Sequence, residues 1–147
     1  ATQFDLAELL QTLLDDYRDQ GVDIAFSGPL RLVYFGRPLG LKRVMTNLLD
    51  NAIKYGNEPA IELMSDAGQV RINVLDSGPG IPQASLEQVF APFFRMEGSR
   101  NRSTGGVGLG LSAARAIVLE HGGELKLRNR PKGGLVAAVV LPVQPGA

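Results

Sequence analysis

The most informative part of this 147-residue sequence is the stretch LKRVMTNLLDNAIKYG, residues 41–56. Apolar residues recur in it at intervals of three and four positions, which is the pattern of a helix with one buried face. Pro38 suits the first turn of such a helix, and Gly56-Asn57 suits its end. The stretch therefore predicts a long amphipathic helix over residues 38–55. Its buried stripe would consist of Leu41, Val44, Met45, Leu48, Leu49, Ala52 and Ile53.

A polar flank lies beside this apolar stripe. It contains Asn47, Asn51 and Lys54, because helical positions four and seven residues apart face the same way. Asparagine is a poor helix former, so two of them in the middle of a helix need a reason. An asparagine carbonyl oxygen can bind Mg²⁺ and a lysine can meet a phosphate, whereas the alternative interpretation is an ordinary solvated helix flank. These residues taken alone leave both interpretations open.

The remaining periodicities predict two further long helices and six strands. The helices would cover residues 4–19 and 109–121. Residues 22–26 and 30–35 would be two strands joined at residues 27–29, and residues 60–65 with 69–76 and 124–129 with 135–141 would form two hairpins. Residues 77–106 are rich in Gly, Pro, Ser and Arg and carry one short helical stretch near residues 85–90. Such long irregular segments are commonly either functional lids or disordered. Strands with segregated helices predict an α+β fold, a two-layer sandwich whose mixed, mostly antiparallel sheet has about three long helices on one face.

Composition excludes several classes of function. Hydrophobic residues make up 44% and charged residues 20%, and 15 basic residues balance 15 acidic ones, so nothing indicates a nucleic-acid-binding protein. No apolar run approaches the roughly 20 residues of a membrane-spanning helix. Cysteine is absent and His121 is the only histidine, which excludes disulfides and histidine-pair metal sites within the chain. A single domain is expected over residues 1–147.

A second candidate segment is DSGPGIP, residues 76–82. Apolar residues alternate onto one face of the strand before it, and Asp76 continues this alternation toward the inner layer. A buried carboxylate is costly unless it has a hydrogen-bond donor, and the exocyclic amino group of adenine would be one. Gly78 and Gly80 would let the backbone bend closely around a ligand. The alternative interpretation is a strand-end turn in which the Asp76 side chain bonds to nearby backbone.

Two more segments give weaker signals. The segment GGVGLGL, residues 105–111, leads into the third predicted helix, and a glycine-rich turn before a helix presents free N–H groups to an anion. It matches neither the P-loop pattern nor the dinucleotide fingerprint. The segment FAPFFR, residues 90–95, places aromatic residues that could anchor a lid beside Arg95, which could face a phosphate. A hydrophobic patch on an ordinary loop is the alternative.

Together the four segments resemble the motifs of one family, the sensor histidine kinases, in order and in spacing. Asn47-x-x-x-Asn51-Ala52-x-Lys54-Tyr55 resembles their N box, and Asp76-x-Gly78-x-Gly80 their first glycine box. Phe90-x-Pro92-Phe93-x-Arg95 resembles the F box, and Gly106-x-Gly108-Leu109-Gly110-Leu111 the second glycine box. The resemblance covers essentially the whole chain. It implies the Bergerat-type α/β sandwich shared with gyrase B, mismatch-repair and heat-shock chaperone ATPases, with an ATP lid at about residues 82–106.

This resemblance implies a role for each matching residue. Asn51 would ligate Mg²⁺, and Asp76 would accept a hydrogen bond from the adenine amino group of ATP. Asn47, Lys54 and Arg95 would act at the phosphates, with Arg95 neutralising charge on the γ-phosphate during transfer. The remaining cofactor-binding positions would be Tyr55 against the adenine, Gly78 and Gly80 around the base, and Gly106, Gly108, Leu109 and Gly110 at the phosphate turn.

The implied function is to bind Mg-ATP and donate its γ-phosphate to a histidine on a separate dimerisation domain of the parent sensor kinase, with a response regulator downstream. The implied location is a cytoplasmic domain of an inner-membrane sensor protein, with no direct membrane contact and no nucleic-acid binding by this domain. The phosphoacceptor helix is absent from the sequence, and His121 matches a position that is structural in the family.

One position distinguishes the branches of the superfamily. Its hydrolysing members resemble each other in a glutamate, four residues before the metal-ligating asparagine, that serves as a base for water; this sequence has Asn47 there. A carboxamide cannot take up a proton at neutral pH, so a kinase is favoured over a hydrolysing ATPase. An ATP-gated regulatory interaction module without phosphotransfer is the alternative.

Overall fold

The computed structural model describes residues 1–90 and 107–143, apart from the side chains of residues 107–109. Its helices are α1 (Leu6–Asp19), α2 (Pro38–Tyr55) and α3 (Val107–Glu120). Its strands are β1 (Thr2–Asp5), β2 (Ala25–Ser27), β3 (Val33–Gly36), β4 (Ala60–Asp66), β5 (Gln69–Leu75), β6 (Glu124–Asn129) and β7 (Leu135–Pro142). Two short 3₁₀ turns, Gln83–Ser85 and Gln88–Phe90, follow β5.

The larger sheet has the strand order β2-β4-β5-β7-β6, and β1 pairs with β3 in a separate two-stranded sheet. Within the described strands of the larger sheet, β2 and β4 run parallel and the other neighbours run antiparallel. The register places Ile72 of β5 between Leu63 of β4 and Val139 of β7, and Leu125 of β6 beside Val139. All four are buried, so this row marks the inner face of the sheet.

The three helices pack on that inner face. Their apolar stripes join the inward-facing strand residues in one core, and each fully buried leucine in it contributes roughly 1.5–3 kcal/mol. The predicted α+β sandwich, with a mixed and mostly antiparallel sheet, is therefore confirmed. The buried helical residues are Leu6, Ala7, Leu10, Leu13, Leu14 and Tyr17 of α1, Leu41, Val44, Met45, Leu48, Leu49 and Ala52 of α2, and Leu111, Ala114 and Val118 of α3.

The N-terminal helix begins later than predicted. Its start at residue 4 is wrong, because the Asp5 carboxylate accepts hydrogen bonds from the N–H groups of Glu8 at 3.2 Å and Leu32 at 3.0 Å. The first bond caps α1 and the second holds the preceding residues against the chain that leads into β3. Residues Thr2–Asp5 therefore form a strand.

Residues 22–26 and 30–35 each supply a strand, as predicted, but each strand begins three residues later, at Ala25 and at Val33. The first segment supplies β2 to the larger sheet, whereas the second supplies β3 to the smaller one. Gly28 lies where the chain leaves β2, and a Cβ atom there would be 2.8 Å from the backbone oxygen of Leu63, so only glycine fits against β4 at this point. Two smaller differences are that α3 begins two residues before its predicted start at 109, and that residues 85–90 contribute to the two 3₁₀ turns.

A hydrogen bond joins α1 to the helix that carries the polar flank. The buried Tyr17 hydroxyl donates to Oδ1 of Asp50 at 2.7 Å. Burial raises the pKa of Tyr17, and the Asp50 carboxylate raises it further.

We expect Tyr17→Phe to lower the free energy of unfolding by about 1 kcal/mol, because it removes this bond while water can still solvate the exposed Asp50. Urea denaturation measures the effect. Asp50→Asn keeps an acceptor and serves as the control, which should cost less. Wild-type stability in Tyr17→Phe would show that the bond does not hold the two helices together.

Candidate functional site

Asp76 follows the last residue of β5 and points into the interior, as the alternation of that strand predicts. It is 7% exposed, and its Oδ1 accepts the N–H of Gly78 at 2.9 Å. The carboxylate is thus buried, and it also closes the strand-end turn that the sequence analysis gave as the alternative to a binding role. Burial raises the pKa of Asp76, while hydrogen bonds from the backbone of Gly78 and Leu135 and the positive charge of Arg130 act against this rise.

The end of α2 lies directly against the Asp76 loop, residues 76–81. A Cβ atom on Gly78 would be 2.5 Å from the Cα of Gly56 and 2.7 Å from the carbonyl oxygen of Tyr55. A Cβ atom on Gly56 would overlap with the carboxyl group of Asp76. Both glycines are therefore required by the close approach of the two backbones.

The middle of α2 contacts α3. Nδ2 of Asn47 donates to the carbonyl oxygen of Gly110 at 3.0 Å, so the side chain is committed to the second predicted glycine segment. Asn47, the first residue of the polar flank, consequently faces α3 and is not simply solvated. The structure thus brings three of the four segments together: residues 47–55, the Asp76 loop and the start of α3.

Asn51 lies between these two contacts along α2. Its side chain is half-buried, and its Nδ2 atom is buried without a hydrogen-bond partner in the described part of the chain. A buried amide without a partner costs about 1–3 kcal/mol, so Asn51, which lies between the Asp76 loop and α3, is a candidate ligand contact. A half-turn of the amide exchanges its nitrogen and oxygen, and the oxygen is a donor atom that suits Mg²⁺.

The other predicted residues lie around this flank or outside the described residues. Lys54 is exposed in the last turn of α2, and Tyr55 is the half-buried last residue of that helix. Gly108, Leu109 and Gly110 lie in the first turn of α3, whose leading N–H groups have no acceptor within the helix. Arg95, Gly106 and most of the predicted lid lie outside the described residues.

Two general features limit the chemistry of the described part. Among residues 1–90 and 107–143 there is no group of three His, Cys, Asp or Glu side chains that could hold a metal ion. No helix in the same ranges is long and apolar enough to cross a membrane.

The sequence of residues 36–145 matches the family of histidine kinase-, DNA gyrase B- and HSP90-like ATPases. The chain belongs to this family. Among the proteins it resembles, the sensor histidine kinase GtrS of Pseudomonas aeruginosa is 44% identical over 138 residues, which cover 94% of this chain and 28% of GtrS. The signal transduction histidine-protein kinase BaeS of Escherichia coli is 36% identical over 95% of this chain and 32% of BaeS. The chain thus spans about a third of the length of these relatives.

Solved structures agree with the sequence relatives. The catalytic domain of the histidine kinase ThkA superposes with a TM-score of 0.81 at 32% identity over 98% of both chains. The mycobacterial sensor histidine kinase MprB gives a TM-score of 0.79 at 32% identity over 97% of both chains. This member of the ATPase family is therefore the catalytic domain of a histidine kinase, a class of protein kinase, and the family predicted from the four motifs is confirmed.

The single histidine of this kinase domain has a structural environment. His121 is 7% exposed; its Nδ1 lies 2.9 Å from the carbonyl oxygen of Ile117, and its Nε2 accepts the N–H of Arg37 at 3.1 Å. Both ring nitrogens are thus engaged by backbone groups, and the ring stacks on Tyr34. The bond to Arg37 caps α2, whose N-cap residue has no side-chain cap of its own.

Four residues that contact the Asp76 loop were not predicted as site residues. From the sequence, Gly56 is visible only as the end of a helix. Asn129 and Arg130 bond to the loop, and a Cβ atom on Gly134 would overlap with the carbonyl oxygen of Asp76. The double glycine at residues 133–134 was the one available signal, since adjacent glycines favour a tight turn.

We expect Asp76→Asn to raise the thermal stability of the nucleotide-free domain near pH 8. Because burial raises the pKa of Asp76, the folded state binds the proton more readily than the unfolded state, and the ionised carboxylate reduces stability above that raised pKa. The penalty disappears as the pH falls below the unfolded value, so the variant's advantage should shrink toward pH 4. Melting curves of both proteins across this range provide the measurement. A destabilised variant at pH 8 would contradict the argument.

Proposed function

We propose that this domain binds Mg-ATP and donates the γ-phosphate to a histidine on a separate dimerisation domain of its parent sensor kinase. The observation that carries the proposal is the position of the unpartnered Asn51 amide between the buried Asp76 carboxylate and the first turn of α3. The nine residues of α2 from Asn47 to Tyr55 span roughly 13 Å, a length comparable with that of an extended nucleotide.

The adenine would lie at the Asp76 end of this surface. The Asp76 carboxylate uses Oδ1 for Gly78, and its remaining acceptor capacity would serve the exocyclic amino group of adenine. Tyr55 ends α2 beside the loop and would contact the base. Guanine presents a carbonyl oxygen at the corresponding position, so the carboxylate would oppose it. This arrangement favours ATP over GTP.

The phosphates would lie between Asn51 and the start of α3. The N–H groups of Gly108, Leu109 and Gly110 belong to a helix N-terminus, which favours anions. Lys54, one turn after Asn51, is exposed and would contact phosphate. We further propose that Gly106 shapes the phosphate turn and that Arg95 neutralises the γ-phosphate during transfer.

Mg²⁺ would be held by Asn51 and by phosphate oxygens, and when bound it neutralises and orients the phosphates. In the transfer itself, an imidazole nitrogen of the partner domain attacks the γ-phosphorus. The new N–P bond forms as the bond to the β,γ-bridging oxygen breaks, and ADP leaves. The imidazole proton passes to a base supplied with the incoming histidine. The residues of this chain bind and orient the triphosphate for that attack.

Asn47 argues for transfer to a protein and against transfer to water. Its Nδ2 is held by Gly110, and a carboxamide cannot act as a general base at neutral pH. His121 cannot serve as the acceptor in its present position, because both ring nitrogens are engaged and α3, with 14 residues at about 1.5 Å each, separates it from the phosphate end.

The parent protein would supply the remaining parts. The relatives named above are sensor and signal transduction histidine kinases about three times as long as this chain. We propose that the parent carries the phosphoacceptor histidine on a dimerisation domain, and that a response regulator receives the phosphoryl group downstream. The domain would then act on the cytoplasmic side of a membrane-bound sensor.

We expect Asn51→Ala to reduce Mg-dependent ATP affinity at least about 10-fold and to abolish phosphotransfer, since even outer-shell partners of a metal site are worth 10- to 100-fold. The fold should persist, because the substitution removes a buried group that has no partner in the described residues. Calorimetry with and without Mg²⁺ gives the affinities.

Asn73→Ala is a matched control for this variant. Asn73 is also buried and has an unpartnered amide oxygen in the described chain, but it neighbours Glu62 on the sheet face away from the helices. The Asn73→Ala substitution should leave Mg-ATP binding unchanged. If the unmodified chain and Asn51→Ala bound Mg-ATP with equal affinity, the metal assignment would be wrong.

We expect phosphotransfer to need the histidine domain of the parent protein. Radiolabelled ATP should give acid-labile label on that domain when it is added, and none on this chain alone. His121→Gln should leave the labelling intact in protein that remains folded. Label on this chain that disappears in His121→Gln would overturn the proposal. Rapid phosphate release would instead indicate a hydrolysing ATPase, and ATP binding without transfer an interaction module.

A further inference from the structure

We propose that Asn129 and Arg130, at the junction of β6 and its turn, are positioning residues that set adenine recognition by holding both ends of the Asp76 loop. This inference rests on the proposed role of Asp76 toward the adenine amino group. Neither residue belongs to any of the four sequence motifs, and both lie about 50 residues beyond the loop they contact.

Asn129 holds the far end of the loop. Its Oδ1 accepts the N–H of Ile81 at 2.9 Å, and its Nδ2 donates to the carbonyl oxygen of Ile81 at 2.6 Å. One carboxamide thus satisfies both backbone groups of a single residue, in the manner of a neighbouring strand. A carboxamide carries an acceptor and a donor side by side, which is what this geometry uses.

Gly80 confirms how closely Asn129 approaches. Its φ is +78°, and a Cβ atom there would overlap with the carboxamide oxygen of Asn129. The absence of a side chain at Gly80 is therefore explained by the contact with Asn129. Gly80 then shapes the base pocket through the course of the loop that Asn129 fixes.

Arg130 holds the near end of the loop. Its Nη1 donates to the carbonyl oxygen of Asp76 at 2.8 Å, and the N–H of Asp76 donates to the carbonyl oxygen of Leu135 at 3.1 Å. The turn between β6 and β7 is closed by the N–H of Arg130 bonding to Gly134 at 2.9 Å. Both backbone groups of Asp76 are consequently tied to this hairpin.

The charge of Arg130 has a second effect on the same residue. It opposes the rise in the Asp76 pKa that burial causes. A carboxylate must be ionised to act as an acceptor only, so Arg130 favours the form that would bind an amino group. The hairpin would therefore control both the direction and the ionisation of Asp76.

The test compares ATP with purine riboside triphosphate, which lacks the 6-amino group, in binding to this chain. The unmodified chain should prefer ATP by about 10- to 100-fold, the range of a charge-assisted hydrogen bond. Asp76→Asn should lose most of that preference. Equal binding of the two nucleotides by the unmodified chain would refute the proposed role of Asp76, independently of what the hairpin does.

The decisive variants are Asn129→Ala and Arg130→Ala. Each should reduce the preference for ATP by about fivefold or more, while its affinity for the amino-free nucleotide stays close to that of the unmodified chain. Arg130→Lys should restore part of the preference. Lys132→Ala, which removes a positive charge from an exposed position in the same turn, is the control and should leave the preference unchanged.

A merely structural role would give a different result. Loss of affinity for both nucleotides in equal proportion, or an unchanged preference in folded variants, would overturn the inference while leaving the role of Asp76 in place. Melting curves identify variants that do not fold. If Asn129→Ala is among them, the half-buried Arg130 carries the test by itself.

Discussion

The end of α2 and the Asp76 loop meet at two glycines, with the Asp76 carboxyl group packed against Gly56. Gly56 faces Asp76 and Gly78, and a methyl group on either glycine would force the two segments apart. The N–H of Ser77 then bonds to the carbonyl oxygen of Asn57 at 2.7 Å. Because α2 also carries Asn51, this contact fixes the metal-binding candidate and the base-binding candidate relative to each other. A side chain placed between α2 and the loop would move these two candidates apart.

Two groups in the site are held in states that folding alone does not favour. The Asp76 carboxylate is buried, and the Asn51 amide nitrogen has no partner within the described residues. Sites of this kind commonly reduce stability in exchange for function. The surrounding structure limits the penalty through the N–H of Gly78 and the guanidinium of Arg130, which both bond to Asp76.

The sequence is predictive where a local pattern and its surroundings agree. The bounds of α2 follow from its apolar period, and the inward direction of Asp76 follows from the alternation in β5. Strand β1 was missed because its four residues show no clear period and depend on pairing with β3. Asn129 and Arg130 were missed because the register of β5, β7 and β6 brings them to the loop, and no local signal encodes a register between distant strands.

The position of β7 has a consequence for how the domain is made. It follows every other described strand in the chain, yet it lies between β5 and β6 in the sheet. While the ribosome is still synthesising the chain, β5 and β6 therefore expose unpaired edges that can only be covered once residues 135–142 emerge. The sheet is completed late, when β7 pairs with β5, which lies far away in the sequence. Pairing between such distant strands is slow and prone to aggregation. A nascent chain that stalls before this point would present open strand edges to chaperones.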